Sequence, residues 1–168
     1  TKYRRHVLML HPHTVIVYDE LEASEAVRWE WLLHSPTEFK MDATKKTLST
    51  NNKIKGWMAV TQLFGGHVFT LSQTDRFVVP PAITGAEYPN QWHLTARVDG
   101  CSAPRFLAII QVGDEAVPII NRDGDTFNVG DWTIKAVLDA SKAPELAVSH
   151  RTYQAGFSDG TDNRAVIV

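Results

Sequence analysis

Seven histidines and one cysteine carry most of the versatile side-chain chemistry in this 168-residue chain, and their spacing decides which reactions are open to it. His11-Pro12-His13 is the first candidate. Two imidazoles two residues apart on a strand point the same way, which is what a shared metal ion requires. Pro12 has no N–H to give to a central strand, however, so the spacing predicts an exposed hairpin turn between residues 6–10 and 14–21. A metal site there would need a third ligand, for which Asp19 and His34 are the candidates. His34 closes an apolar strand just before Ser35-Pro36, at a strand end where sheet proteins place binding residues. The plainer expectation is a rim histidine bonded to a turn. His93 alternates with Trp92 and Leu94, so it faces away from the tryptophan, toward solvent or a second domain. Cys101 stands alone, which excludes an internal disulfide framework and a Cys-rich zinc site.

Five tryptophans (Trp29, Trp31, Trp57, Trp92, Trp132) raise a second possibility, because indole faces stack on sugar rings. A stand-alone carbohydrate-binding module would need an exposed aromatic row, and Tyr88, Trp92, His93 and Tyr153 are the residues that could supply it. All five tryptophans lie in phase with apolar neighbours, so core packing is the favoured expectation for most of them. Asn121, Asp123 and Asp125 alternate as in a calcium loop, but position twelve of such a loop is Trp132 rather than glutamate. That segment reads better as a hairpin turn. No nucleophile elbow, phosphate loop, His-Glu-x-x-His motif or telling pair of carboxylates occurs.

The elements that would position these residues have period two almost throughout. In Val27–Ser35, Val27, Trp29, Trp31 and Leu33 share one face, and Arg28, Glu30 and His34 the other. Further strands are predicted at 6–10, 14–21, 39–44, 57–64, 68–71, 92–98, 105–112, 117–120, 131–138 and 164–168. The 105–112 run is continuously apolar, as in a strand buried on both faces. Asn51-Asn52, Gly65-Gly66, Asp99-Gly100, Asp123-Gly124 and Gly130-Asp131 punctuate the runs. Short helical turns are conceivable at 22–27 and 140–145. Residues 78–91, with Pro80, Pro81, Gly85 and Pro89, read as a surface excursion. The expectation is an all-β fold, a two-layer antiparallel β-sandwich of ten or more strands, with residues 1–168 forming one domain.

Composition sets outer limits. The hydrophobic fraction of 43% and charged fraction of 21% suit a folded domain. Seventeen basic against nineteen acidic side chains give a net charge of −2, which argues against a non-specific nucleic-acid binder. No run approaches the roughly eighteen apolar residues of a membrane span. A strand block that opens at the third or fourth residue raises the expectation of a piece of a larger polypeptide.

The runs Tyr3-Arg4-Arg5-His6-Val7-Leu8-Met9-Leu10, Thr14-Val15-Ile16-Val17-Tyr18-Asp19-Glu20-Leu21 and Trp29-Glu30-Trp31-Leu32-Leu33-His34-Ser35 resemble the C-terminal β-sandwich region of heparinase II/III-like polysaccharide lyases. Pro89-Asn90-Gln91-Trp92-His93-Leu94 and Arg105-Phe106-Leu107-Ala108-Ile109-Ile110 look like the same region. The resemblance implies a parent enzyme with a helical toroid ahead of the sandwich, cleaving uronate-containing polysaccharides by β-elimination. In such a reaction a Tyr or His base removes the C5 proton, other groups neutralise the neighbouring carboxylate, and an acid protonates the leaving oxygen. The family's catalytic residues and structural zinc ligands belong to the toroid and the first part of the sandwich. They have no matching positions here, and His11-Pro12-His13 lies downstream of where the zinc ligands belong. The resemblance therefore implies a module without catalytic residues or cofactor of its own, zinc being possible in the rest of the parent. Its implied partners are the upstream catalytic domains and an acidic polysaccharide, and its implied location is the periplasm or outside the cell.

Overall fold

A computed structural model describes residues 1–42, 47–51, 58–77, 79, 90–113, 120–151 and 153–158, with the backbone alone at Asn51, Met58, Tyr153, Phe157 and Ser158. No helix occurs among the described residues. The strands in chain order are β1 (Lys2–Leu10), β2 (Thr14–Glu22), β3 (Val27–Ser35), β4 (Lys40–Asp42), β5 (Thr47–Asn51), β6 (Met58–Gly65) and β7 (Thr70–Thr74). They continue as β8 (Trp92–Cys101), β9 (Arg105–Gly113), β10 (Ile120–Asp123), β11 (Thr126–Val129), β12 (Trp132–Ala136), β13 (Glu145–His150) and β14 (Tyr153–Ser158). They pair into a six-stranded sheet β1-β2-β9-β6-β5-β4, a five-stranded meander β10-β11-β12-β13-β14 and a three-stranded sheet β3-β8-β7. Every pairing is antiparallel.

Strand β9 explains how the layers assemble. Successive side chains of a strand leave on opposite faces, and here both faces are apolar. Leu107 and Ile109 enter one core with Ile16 and Tyr18 of β2 and with Phe127, Val129, Ile134, Ala136, Leu146 and Val148 of the five-stranded sheet. Phe106 and Ala108 enter a second core with Leu48 and Leu63 of the same six-stranded sheet and with Trp31, Leu94, Ala96 and Val98 of the three-stranded sheet. The six-stranded sheet thus carries a core on each of its faces. The all-β antiparallel sandwich expected from the period-two pattern is present, and a third sheet extends it beyond two layers.

Buried hydrogen bonds tie the cores to the loops. The Tyr18 hydroxyl donates to the Val137 carbonyl at 2.7 Å. The buried Arg105 guanidinium donates to the carbonyls of Val137 (3.1 Å), Asp139 (2.8 Å) and Lys142 (2.7 Å). Burial raises the Tyr18 pKa to about 12, so the phenol remains a donor at neutral pH. On the other side, Trp29 Nε1 donates to the Cys101 carbonyl at 2.8 Å. The Gln73 amide meets both the N–H and the carbonyl of Phe39, at 3.0 and 2.9 Å.

Several sequence expectations need adjusting. The strand expected at 68–71 begins at Thr70, and Val68 is 91% exposed. The helical turns considered at 22–27 and 140–145 are absent. The first is a bend between β2 and β3, with Ala23 N–H donating to the Ser102 carbonyl at 2.7 Å. The second is a turn leading into β13, with Lys142 N–H donating to the Asp139 carbonyl. Trp57, Ala43, Thr44, residues 117–119 and 164–168 lie outside the described residues.

Candidate functional site

The sequence candidates fall in separate places. His11 and His13 occupy the exposed turn between β1 and β2, beyond the Leu10–Thr14 pair. His34 and His93 sit directly opposite each other on β3 and β8. Their rings meet edge to face at 4.5 Å, and Phe77 packs against His93 at 5.3 Å. No group of three or more His, Cys, Asp or Glu side chains is placed to hold a metal among the described residues. Trp92 is half-buried against the second core, and His93 Nε2 is buried with no hydrogen-bond partner among the described residues. Tyr88 lies outside the described residues, and Tyr153 is described only through its backbone, paired with His150.

A charged cluster that the spacing did not announce holds β1 to β2. Asp19 and Glu20 are 1% and 3% exposed, which carboxylates tolerate only when paired. Arg5 grips Asp19 with two bonds, Nε at 2.7 Å and Nη2 at 2.8 Å. Lys2 Nζ reaches Glu20 at 2.7 Å and His6 Nε2 lies 3.2 Å from its other oxygen. Burial alone would raise the Glu20 pKa, but the bonds from Lys2 and His6 outweigh it and hold the carboxyl below its ordinary range. Burial lowers the His6 pKa against the pull of Glu20, so at neutral pH the ring is neutral and its Nε2–H is the donor. Every one of these groups is engaged with another. Their work is to fasten an edge strand.

A cleft of about 490 Å³ with several polar groups in its lining is different in kind. It is lined by Gly65, Gly66, His67, Arg122, Asp125 and the loop Leu138–Ser141. Its size falls within the range of roughly 300–1,000 Å³ typical of ligand sites. One wall is the loop whose carbonyls Arg105 and Tyr18 hold in place. The adjoining wall is the Gly65-Gly66 turn at the end of β6, which presses so close that a Cβ on Gly66 would stand 2.1 Å from the Leu138 carbonyl oxygen. The third side is the β10–β11 hairpin, turned at Gly124 with a φ of +57° that favours glycine.

Charge in the cleft is mixed. Arg122 lies over the rings of Phe127 (5.2 Å) and Phe64 (5.7 Å), and its Nε donates to the Gly124 carbonyl at 2.9 Å. Asp139 accepts from the Ser141 hydroxyl at 2.7 Å and N–H at 2.9 Å, which holds its carboxyl below the ordinary range. Asp125 faces Lys142 Nζ at 3.6 Å. His67 Nε2 meets Cys101 Sγ at 3.2 Å. Donors and acceptors on three walls suit the binding of a polar ligand. The lining residues come from three distant segments, so no local spacing could reveal them. The Gly65-Gly66 turn and the polar 121–125 loop were the visible traces.

No protein-family model matches the chain, and no curated protein matches it either. Its structure is similar to two solved structures of a heparinase III, one of them with methylated lysines. Each matches at a TM-score of 0.62 and 14% identity, over 93% of this chain and 23% of the heparinase chain. The fold is that of a segment of heparinase III. At this identity the likeness to heparinase III is one of fold, and the chain spans about a quarter of that enzyme's length. No helix among the described residues is long and apolar enough to cross a membrane.

Proposed function

We infer that this chain is a non-catalytic C-terminal β-sandwich module of a heparinase II/III-like polysaccharide lyase, a parent enzyme that cleaves uronate-containing polysaccharides such as glycosaminoglycans by β-elimination. The observation that carries the reading is the match of nearly the whole chain to less than a quarter of a heparinase III. In this reading the module braces the catalytic domains of the same polypeptide, zinc belongs to those domains, and the parent works in the periplasm or outside the cell.

The outward row of β1 supports a bracing role. Tyr3, Val7 and Met9 are 62%, 60% and 70% exposed, and all three leave the same face of an edge strand. Soluble proteins seldom leave such a row bare unless something docks on it. The occupant in this reading is the catalytic part of the parent chain, for which a heparinase-sized polypeptide has three times this module's length to spare. The alternative of a stand-alone carbohydrate-binding module built on an aromatic row is less well supported, because Trp92 packs against the core. Oxidative footprinting tests the docking. Met9 should oxidise readily in the isolated chain and be protected in the full-length parent. Equal oxidation in both would contradict it.

A further inference from the structure

We propose that the cleft between the Gly65-Gly66 turn, the β10–β11 hairpin and the Leu138–Ser141 loop is a saccharide site that takes a sparsely sulfated uronate unit, with Arg122 gripping its carboxylate. The proposal deepens the lyase-module reading by naming a place on this chain where the polymer is held, away from the tryptophan-bearing strands.

Preorganisation is the first support. A site binds well when its groups are fixed before the ligand arrives. Arg105 and Tyr18 hold the Val137–Lys142 backbone from beneath through four hydrogen bonds. Arg122 is immobilised from two sides, by the Phe64 and Phe127 rings and by the Gly124 carbonyl. The cleft needs no large rearrangement to accept a ligand.

Charge is the second support. Asp125 and Asp139 are engaged, by Lys142 and by Ser141. Arg122 has no carboxylate within ion-pair distance among the described residues, whereas Arg5, Arg28, Arg97 and Arg151 each have one. Its terminal nitrogens remain available for the two-pronged grip that guanidinium offers a carboxylate. The cleft thus presents one uncommitted cation beside two acidic acceptors, a hydroxyl and a histidine. A ligand with one carboxylate and several hydroxyls fits that set. Asp125 and Asp139 would accept from ring hydroxyls, while the same two carboxylates repel a second or third anionic group. A densely sulfated saccharide is therefore disfavoured, and a neutral one leaves Arg122 unpaired.

Calorimetric and NMR titration of the 168-residue chain tests this with an unsulfated glucuronate-containing tetrasaccharide, a neutral chitin tetrasaccharide and a fully sulfated heparin tetrasaccharide. The unsulfated acidic sugar should bind and shift amide signals at 65–67, 122–125 and 138–141. The neutral and heavily sulfated sugars should bind at least about tenfold more weakly, as expected for one charge-assisted contact. Arg122→Ala should lose at least about tenfold in affinity for the acidic sugar, and Arg122→Lys should recover only part of it. Ser141→Trp, which fills the cleft while leaving the Arg122 charge in the chain, should abolish binding in a chain that still melts cooperatively. Absence of binding by the unaltered chain, unchanged affinity in both Arg122→Ala and Ser141→Trp, or a preference for the heavily sulfated sugar would overturn the proposal. Those results would leave the lyase-module reading standing, since that reading is tested by docking and by the absence of elimination activity.

Discussion

The two faces of the six-stranded sheet are built to different degrees of completeness. Toward the five-stranded sheet, the core is largely aliphatic and its border is sealed by the buried donors of Tyr18 and Arg105. The inward row of β1 on that side ends in Leu8 and Leu10, packed with the core, and begins in Lys2, Arg4 and His6, all directed at Glu20. Toward the three-stranded sheet the core is rich in aromatic rings, including Trp31, Phe39, Phe69 and Phe106. Three strands cannot span six, and the row of Tyr3, Val7 and Met9 is left uncovered. The first face is finished within this chain. The second has room for another body.

Adjacent residues of β9 let the two cores be weighed against each other. Phe106→Ala should cost about 3–5 kcal/mol and Leu107→Ala about 2–5 kcal/mol in denaturant unfolding, since both side chains are fully buried. If the sheets fold as one unit, each variant lowers a single cooperative transition. A variant that melts only one side would break the picture of a shared central sheet.

Arg105→Ala should come next, at about 2–3 kcal/mol, because three carbonyls lose a charged donor. It should also weaken saccharide binding at the cleft, whereas removing Trp29 from the other face should not. Equal effects of the two on binding would blur the distinction between the faces.

A smaller effect is expected from pH. His6 has a folded pKa below its unfolded value near 6.5, so the unfolded chain takes up the proton first as pH falls. Stability should be fully present above pH about 6.5 and decline as acid approaches the folded pKa. Glu20, whose folded pKa is also depressed, adds a second loss at lower pH, beginning below about 4.3. Melting temperatures of His6→Gln, which keeps a donor but does not titrate, should be flat across the upper window. A slope identical to that of the unaltered chain would remove His6 from the account.

The smallest effect belongs to the bare row. Val7→Ser and Met9→Gln should change the stability of the isolated chain by no more than about 0.5 kcal/mol, as is usual for exposed positions. In the full-length parent the same changes should lower the melting temperature. Their silence there would mean that the row is ordinary surface.

Period two made most of the strands legible, and the mainly apolar run at 105–112 foretold a strand buried on both sides. The third layer was implicit in that run, since one strand needs a cover on each face. Strands such as Thr47–Asn51 and Thr126–Val129 were missed because four or five residues of mixed polarity give too little alternation to read. Glu145–His150 was hidden for another reason: it follows Ala140–Pro144, whose composition could equally suit a turn of helix. The histidines drew attention through their spacing, yet the cleft is assembled from residues up to seventy-odd positions apart, and only tertiary structure brings them together. Glu20 passed unremarked, and Asp19 drew notice only as a possible metal ligand, for a similar reason. Their significance lies in being buried, and burial of a charge on a strand is decided by the partner strand rather than by its own neighbours.

The claim at the centre of this account is that the chain contributes structure and recognition but no elimination chemistry. The most direct test is to incubate the purified 168-residue chain with heparan sulfate, heparin and alginate and to follow the ultraviolet absorbance of unsaturated uronate ends. The account predicts no product above the buffer control at any chain concentration. Product accumulating in proportion to the chain, and lost on heat denaturation, would contradict it.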